Sequence, residues 1–335
     1  MNKTQRLPIT YKTTLIYNPT AGPWDVTRPL KRLAAYLGKA GWQAELVQTT
    51  RQGDAMRHAR EAAAQGVDLV LIAGGDGTIN EAVNGLCNSD TTLGIVPAGT
   101  GNILAHQLRM PVLSAVAPMI KEIGDTVLAS RVQRVDVGTV NDRRFISWAG
   151  LGLDAEIAAQ MEPRPRHIKR LSILPYIIAG FTVASDYRGV RSSFLIEDRA
   201  FRTRTLMAVA SNIQLYAAFL QIAPQARMDD GLLDIFVFKG LGLSYALKYL
   251  MQSFSGRHLA SPDVMHVLAS KMQVETSPPV AVHLDGDPYG CTPATLSIEP
   301  AALKLLVPPQ APASLFSKRP ESLQAVEHDD RLAYA

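Results

Sequence analysis

Apolar residues in the first third of the chain come in short runs that alternate with segments of helical spacing. Val70-Leu71-Ile72-Ala73 reads as a short buried strand, and Gly74-Gly75-Asp76-Gly77 stops it. Ile79, Ala82, Val83 and Leu86 then recur at helical spacing, and Thr78 followed three positions later by Glu81 predicts a capping box at the start of that helix. The same alternation surrounds this stretch. Thr14 to Tyr17 reads as a strand broken by Asn18-Pro19-Thr20-Ala21-Gly22-Pro23, and Leu30, Leu33, Ala34 and Leu37 give a helix face that ends before Gly41. A second strand, Ala44 to Gln48, leads through Thr49-Thr50 to a helix from Gly53-Asp54 to Gly66, with Ala55, Met56, Ala59, Ala62 and Ala63 on one face. Leu93 to Val96 is the last strand of this kind, followed by Pro97-Ala98-Gly99-Thr100-Gly101-Asn102 and a helix start at Ile103. Such alternation predicts a doubly wound parallel sheet, whose ligands sit at the carboxyl ends of the strands. Asn18, Thr49, the stretch Gly74 to Asn80 and Thr100 all fall at those ends.

Near Arg131 the period changes. Val135 to Val140, Leu206 to Ala210 and Leu233 to Phe238 alternate in strand fashion with turn residues between them, which predicts an antiparallel sheet or sandwich. Helical insertions, about Ala155 to Ser185 and Leu243 to Phe254, interrupt it. The expected organisation is α/β followed by β: a nucleotide-binding α/β domain over 13–131 and an antiparallel β-sandwich domain over 132–294, with a cleft between them. Ala294 to Ile298 and Leu303 to Val307 are strand-like. From Pro308 to Ala335 the composition is polar and poor in β-branched residues, which predicts disorder.

Composition narrows the class. At 335 residues, 47% hydrophobic and 19% charged, the chain fits a globular protein of about two domains. Its two cysteines, Cys87 and Cys291, make neither a disulfide framework nor a metal cluster, which suits a reducing cytoplasm. Met1 to Thr10 has no apolar core, so no signal peptide is expected. The longest charge-free run, between Arg170 and Asp186, is shorter than the ~20 residues a membrane-spanning helix needs and contains Pro175 and Gly180. Just before it, Arg164, Arg166, His167, Lys169 and Arg170 form a basic edge that could meet an anionic bilayer or simply lie in solvent. A net charge of +4 without a basic stripe interleaved with aromatics argues against a nucleic-acid partner.

The candidate chemistry centres on the glycine-rich turn. Glycines permit positive φ and close approach of backbone to a ligand, and a helix N-terminus favours an anion such as phosphate. Asp76 would repel phosphate unless a divalent cation lay between them, a combination that suggests a magnesium nucleotide. A turn of this kind also serves as a plain connection in many α/β proteins. Arg227-Met228-Asp229-Asp230-Gly231-Leu232-Leu233-Asp234 packs three carboxylates around a turn, suited either to a hard cation or to an ordinary hairpin. Val280 to Leu284 reads as a strand ending in Asp285-Gly286-Asp287, acids that could take a proton from a substrate hydroxyl or merely close a turn.

In this order, Gly74-Gly75-Asp76-Gly77-Thr78, Pro97 to Asn102, Asp229-Asp230-Gly231-Leu232-Leu233-Asp234, and Asp285-Gly286-Asp287 followed by Thr292-Pro293 resemble the diacylglycerol kinase catalytic-domain family, specifically its bacterial lipid kinases, over about residues 13–307. The resemblance implies ATP and Mg2+ as cofactors and a lipid substrate met at the inner membrane surface by a cytoplasmic, peripherally associated protein. It also implies that 295–307 returns to the first domain. Gly74, Gly75, Asp76, Gly77, Thr78, Ile79, Asn80, Thr49 and Thr100 would hold ATP. A structural magnesium would sit on the Asp230 carboxylate and the backbone carbonyls of Arg227 and Leu232. The general base would be Asp285 or Asp287, the family's usual Glu being replaced by Asp287. Pro23 stands where many members carry a Lys. A soluble small-molecule kinase of the NAD kinase type and a weakly active nucleotide-binding regulator are the alternatives.

Overall fold

Four apolar runs build the first sheet. The computed structural model describes residues 11–21, 25–99, 101–113, 120–161, 182–216 and 220–322. Strands β1 (Lys12–Tyr17), β2 (Gln43–Gln48), β3 (Leu69–Gly74) and β4 (Thr92–Pro97) pair in parallel in the order β2-β1-β3-β4. Every residue of β3 and β4 is buried, whereas β2, at the edge, is only partly covered. That difference is what continuous apolar runs imply for central parallel strands.

Helices α1 (Thr27–Lys39), α2 (Asp54–Ala64), α3 (Asp76–Leu86), α4 (Ile103–Gln107) and α5 (Ile120–Ala129) connect and cover these strands. Small residues let α2 and α3 come together closely: a Cβ at Gly85 would lie 2.5 Å from the Met56 carbonyl oxygen and 2.9 Å from the Ala59 Cβ. The alanine face of α2 is therefore a packing surface shaped to a neighbouring backbone.

One expected feature of α3 is corrected. Thr78 and Glu81 form no capping box, because the helix begins at Asp76 with Gly75 as its N-cap. Glu81 instead accepts from the Gly53 N–H (2.8 Å) and the Ala55 N–H (3.1 Å), covering the amides that open α2. Glu81→Ala is expected to lower stability by about 1–2 kcal/mol, the usual worth of a helix cap, with little effect on turnover. Urea unfolding of the variant measures it.

Two long strands join the halves. β5 (Arg131–Val140) runs antiparallel to β15 (Ala294–Val307), with a register shift between Glu299 and Leu303. Past that shift Lys304 and Leu305 pair in parallel with Thr92 and Leu93 of β4, and Ala302, Leu303, Leu305, Leu306 and Val307 are buried in the first core. Before it, Ala294 to Ser297 pair with β12 (Lys271–Ser277).

The second half is antiparallel throughout its pairings. β14 (Asp287–Cys291), β13 (Ala281–Leu284), β7 (Trp148–Gly152), β9 (Arg199–Ser211), β8 (Val190–Ile196) and β12 follow in that order, while β10 (Leu233–Lys239) lies between β9 and β11 (Val264–Ala269). β6 (Arg143–Phe145) turns back onto β5. These strands close over a second core that includes Val140, Phe145, Phe194, Ile235, Met272 and Leu296. A third apolar cluster lies beneath α6 (Leu153–Met161) and α7 (Gly242–Phe254) and includes Leu153, Leu206, Phe236, Phe238 and Tyr249. The fold is thus an α/β N-terminal half carrying a β-sandwich C-terminal half.

The expected disorder from Pro308 onward is corrected for residues 308–322. Leu315 and Phe316 are buried against the first core, and Glu321 exchanges backbone hydrogen bonds with Val132 at 2.7 and 2.8 Å. Two apolar anchors and an open strand edge suffice to hold a segment whose average composition is polar. The remainder, 323–335, lies outside the described residues, as does the basic cluster Arg164, Arg166, His167, Lys169 and Arg170.

Candidate active site

The ends of β1 to β4 assemble the first wall of the site. Backbone bonds from Asn18 N to the Ala73 carbonyl (3.0 Å) and from Thr49 N to the Tyr17 carbonyl (2.9 Å) draw three strand ends together. The Asn18 side chain holds its own turn, accepting from Thr20 N at 2.9 Å and Thr20 Oγ1 at 2.8 Å. Thr49 is buried, with its hydroxyl 3.3 Å from the Tyr17 carbonyl. Thr100 lies outside the described residues, but its neighbours fix the adjoining loop: Gly99 N donates to the Gly74 carbonyl at 3.1 Å, and a Cβ on Gly99 would come within 2.6 Å of the Gly75 Cα.

At Gly74 glycine is needed for contact, not for conformation. Gly74, Gly75 and Gly77 are absent from the positive-φ positions, contrary to the expectation that they bend the backbone that way. A Cβ on Gly74 would meet the Thr78 side chain at 2.6 Å, and one on Gly77 would meet the Asp287 carboxylate at 3.1 Å. Gly75 faces open space. Asp76 opens α3, and its Oδ1 accepts from Ile103 N at 2.7 Å, tying α3 to α4. Burial, with a smaller contribution from Asp285, pushes its pKa up to about 6, while backbone donors oppose the rise. Ile79 is buried in the core, and Asn80, also buried, donates to Asp285 Oδ2 (2.8 Å) and to the Arg144 carbonyl (3.1 Å). The Ile79 side chain thus packs into the core, and that of Asn80 ties α3 to Asp285.

Across from this wall stands the Asp285-Gly286-Asp287 turn between β13 and β14. Asp285 has a positive φ of 51° and is 7% exposed. Its carboxylate accepts from Ile146 N (2.9 Å), Ser147 N (2.8 Å), Trp148 N (3.0 Å) and Asn80 Nδ2 (2.8 Å). Desolvation raises its pKa against the pull of these donors. Asp287 is half-buried and points towards the first turn of α3, as its proximity to Gly77 shows.

Pattern reading missed the support under this turn. Gly286 N donates to His283 Nδ1 at 3.2 Å, which leaves Nε2 as the donor to Asp154 Oδ2 at 3.0 Å. Tyr216 Oη donates to the same oxygen at 2.9 Å, and burial followed by Asp154 raises the Tyr216 pKa well above its usual value. Only glycine fits at 150, where a Cβ would lie 2.1 Å from Asp154 Oδ2 and 2.3 Å from His283 Nε2. A histidine two residues before an acidic turn was the available signal; its partners come from distant segments.

The acidic turn after Arg227 is laced by carboxylates of its own and by Asp136 of β5. Asp136 accepts from Gly231 N (2.6 Å) and Ala301 N (2.7 Å), and Asp229 accepts from Gln133 Nε2 (2.8 Å) and Ser317 N (2.5 Å). Asp230 accepts from Leu232 N at 3.1 Å, and its pKa is raised by desolvation first and then by Asp136, Asp234 and Asp229. Negative charge accumulated at a half-exposed turn suits a hard cation. Among the described residues no three His, Cys, Asp or Glu side chains converge on one point, so side chains alone build no metal cluster at this turn.

Comparison with known proteins accounts for both halves. Residues 12–140 match the diacylglycerol kinase catalytic domain, and residues 147–307 match the YegS C-terminal NAD kinase beta sandwich-like domain. The diacylglycerol kinase of Bacillus subtilis is 29% identical over 281 residues, covering 83% of this chain and 90% of its own. That of Staphylococcus haemolyticus is 28% identical over 284 residues, covering 84% and 83%. A crystal structure of a diacylglycerol kinase from Bacillus anthracis str. Sterne shares the fold, with a TM-score of 0.69 at 24% identity over 90% of this chain and 98% of that one. A second structure from the same organism gives 0.74 at 25% identity over the same shares. The ordered turns of the sequence and these matches agree: the chain belongs to the diacylglycerol kinase catalytic-domain family of lipid kinases.

Proposed function

We propose that this lipid kinase phosphorylates the free hydroxyl of diacylglycerol, with ATP held at the ends of β1 to β4 and the lipid hydroxyl presented to Asp287. The observation that carries the reading is the approach of the Asp287 carboxylate to Gly77, which puts a candidate proton acceptor beside the amides at the start of α3. Gly74 to Thr78, with Asn18 and Thr49 beside them, would receive the phosphates at the backbone N–H groups that open α3. Asp76 stands there as the carboxylate that a magnesium-bound phosphate requires and a bare phosphate would reject. Magnesium bound with ATP would neutralise charge developing on the transferred group. Asp285 anchors the opposite turn to β7 and α3, so Asp287 is held while the lipid hydroxyl attacks.

Support for diacylglycerol over a soluble acceptor comes from the named relatives, which match along both halves of this chain. Incubation with ATP and, separately, diacylglycerol in mixed micelles, NAD and sugar phosphates tests it. Phosphate should appear on diacylglycerol alone. Transfer to NAD instead would overturn the lipid assignment, and no transfer to any acceptor would favour a nucleotide-binding regulator. Among the described residues no helix is long and apolar enough to cross a membrane. Access to the lipid is accordingly proposed to be peripheral, from the inner face of the membrane.

The Asp230 turn is proposed as a structural magnesium site. Magnesium binding the native state alone stabilises it by about 2.7 kcal/mol at a hundredfold excess over Kd. Wild type should gain thermal stability as magnesium is added and Asp230→Asn should not. Equal gains in differential scanning calorimetry would place the metal elsewhere.

A further inference from the structure

Helix α7 offers apolar side chains to both sides. Tyr249 and Ser253 are buried against the third cluster, while Leu247, Leu250, Met251 and Phe254, spaced as i, i+3, i+4 and i+7, share the outer face. Met251 is 68% and Phe254 60% exposed, and Leu241 and Leu259 continue the exposed apolar surface beyond the two ends of the helix.

The helix and the segments at its two ends carry only basic charged residues of their own. No Asp or Glu occurs from Ile235 to Pro262, a stretch that contains Lys239, Lys248 and Arg257. The Arg188 guanidinium borders the start of α7, 3.8 Å from where a Gly242 Cβ would sit, and Arg204 accepts from Gly240 N through its carbonyl. The first acid downstream, Asp263, is paired with Lys248 at 2.5 Å. Arg257 is exposed.

We propose that the outer face of α7 docks this enzyme on an anionic lipid bilayer, its apolar stripe entering the interface and the flanking arginines meeting headgroups. The proposal rests on the lipid-kinase reading, because a long-chain lipid acceptor resides in such a bilayer. A helix with no acid of its own, an apolar stripe in solvent and arginines beyond its ends has the composition of an interfacial helix. A second copy of the chain fits less well: a stable interface takes about 20–30 residues a side, and a two-fold contact here would bring like charges together. The third cluster also links the helix to the site. Tyr249 packs there with Phe238, Leu206 and Leu153, Tyr216 packs against the same cluster, and the Tyr216 hydroxyl reaches Asp154 and through it His283. Docking through α7 would therefore place the acceptor turn at a set distance from the bilayer.

The full chain carrying Leu247→Ser, Met251→Ser and Phe254→Ser tests this, since all three are exposed and their replacement should leave the fold intact. Sedimentation with vesicles of about one-third phosphatidylglycerol in phosphatidylethanolamine should show at least a roughly tenfold loss of binding. Phosphorylation of diacylglycerol in those vesicles should fall in parallel, while a short-chain diacylglycerol dissolved in water should be phosphorylated at the wild-type rate. Arg257→Glu should weaken binding to these vesicles and leave binding to phosphatidylcholine vesicles unchanged. Vesicle binding unaffected by the triple substitution overturns the proposal. So does a drop in molecular mass by light scattering with vesicle binding retained, which would make the face a self-interface. Should neither diacylglycerol be phosphorylated by wild type, the acceptor assignment fails while the sedimentation result still decides the docking surface.

Discussion

Replacing Asp76 by Asn is expected to lower turnover by on the order of a hundredfold or more while leaving the protein without nucleotide at least as stable as wild type near pH 8. The two halves of this expectation share one cause. Burial raises the Asp76 pKa to about 6, so in the folded chain its ionised form is held at a cost. A carboxyl whose pKa is raised by folding binds protons more readily in the native state, and stability falls as pH climbs from the unfolded value of 3.8 through about 6. Above that range the full penalty is present, and an uncharged amide escapes it and keeps an oxygen for Ile103 N, an advantage that the Asn102 N–H left facing the amide reduces at every pH. On the proposed reading, a group that destabilises the empty protein beside the phosphate-receiving turn would have its purpose in the loaded one, where a cation would offset its charge. Thermal unfolding at pH 5 and pH 8, alongside turnover, measures both effects. The stability advantage of Asp76→Asn over wild type should be larger at pH 8. Near-normal turnover in the variant would remove Asp76 from phosphoryl transfer.

How far the sequence revealed this site depends on the distance between partners. Positions set by local period were legible: buried β3, the apolar faces of α1 and α2, and the strand ends bearing Asn18, Thr49 and Gly74 follow from spacings of two and 3.6. Roles set by contact across the chain were not. Thr78 and Glu81 have capping-box spacing, yet Glu81 serves Gly53 and Ala55 on another helix, because those amides lie within its reach once α2 and α3 pack through Gly85. Gly74 and Gly77 look like residues chosen for positive φ, but at Gly74 it is the Thr78 side chain that excludes a Cβ, and at Gly77 a Cβ would press on the Asp287 carboxylate. His283, Asp154 and Tyr216 carry no shared motif and meet only after β7, α6 and β13 have assembled. The segment 308–322 reads as a tail because its anchors, Leu315 and Phe316, are two residues within a polar average.

The two acids of the Asp285-Gly286-Asp287 turn are expected to fail in different ways when amidated. A raised pKa would suit Asp285 to accept a proton, but geometry outweighs it. Four donors occupy its two oxygens and it is 7% exposed, so an incoming hydroxyl has no approach to it. The amide introduced by Asp285→Asn could keep its oxygen on Ser147 N and Trp148 N, but its nitrogen would then face Ile146 N and Asn80 Nδ2, donor against donor. Each stranded donor costs about 1–3 kcal/mol, so Asp285→Asn should lower the unfolding free energy by several kcal/mol, with activity lost as a consequence of the displaced turn. Asp287→Asn should instead retain stability and the KM for ATP while kcat falls by about a hundredfold to ten-thousandfold, the usual worth of a positioned base. Asp287→Glu restores the residue common in the family and should keep much of the activity, provided the longer side chain clears the first turn of α3, where Gly77 leaves the space. Urea unfolding and steady-state kinetics on the three variants separate these outcomes. A stable Asp285→Asn enzyme with reduced kcat, beside an active Asp287→Asn enzyme, would transfer the role to Asp285 and require its four hydrogen bonds to open during turnover.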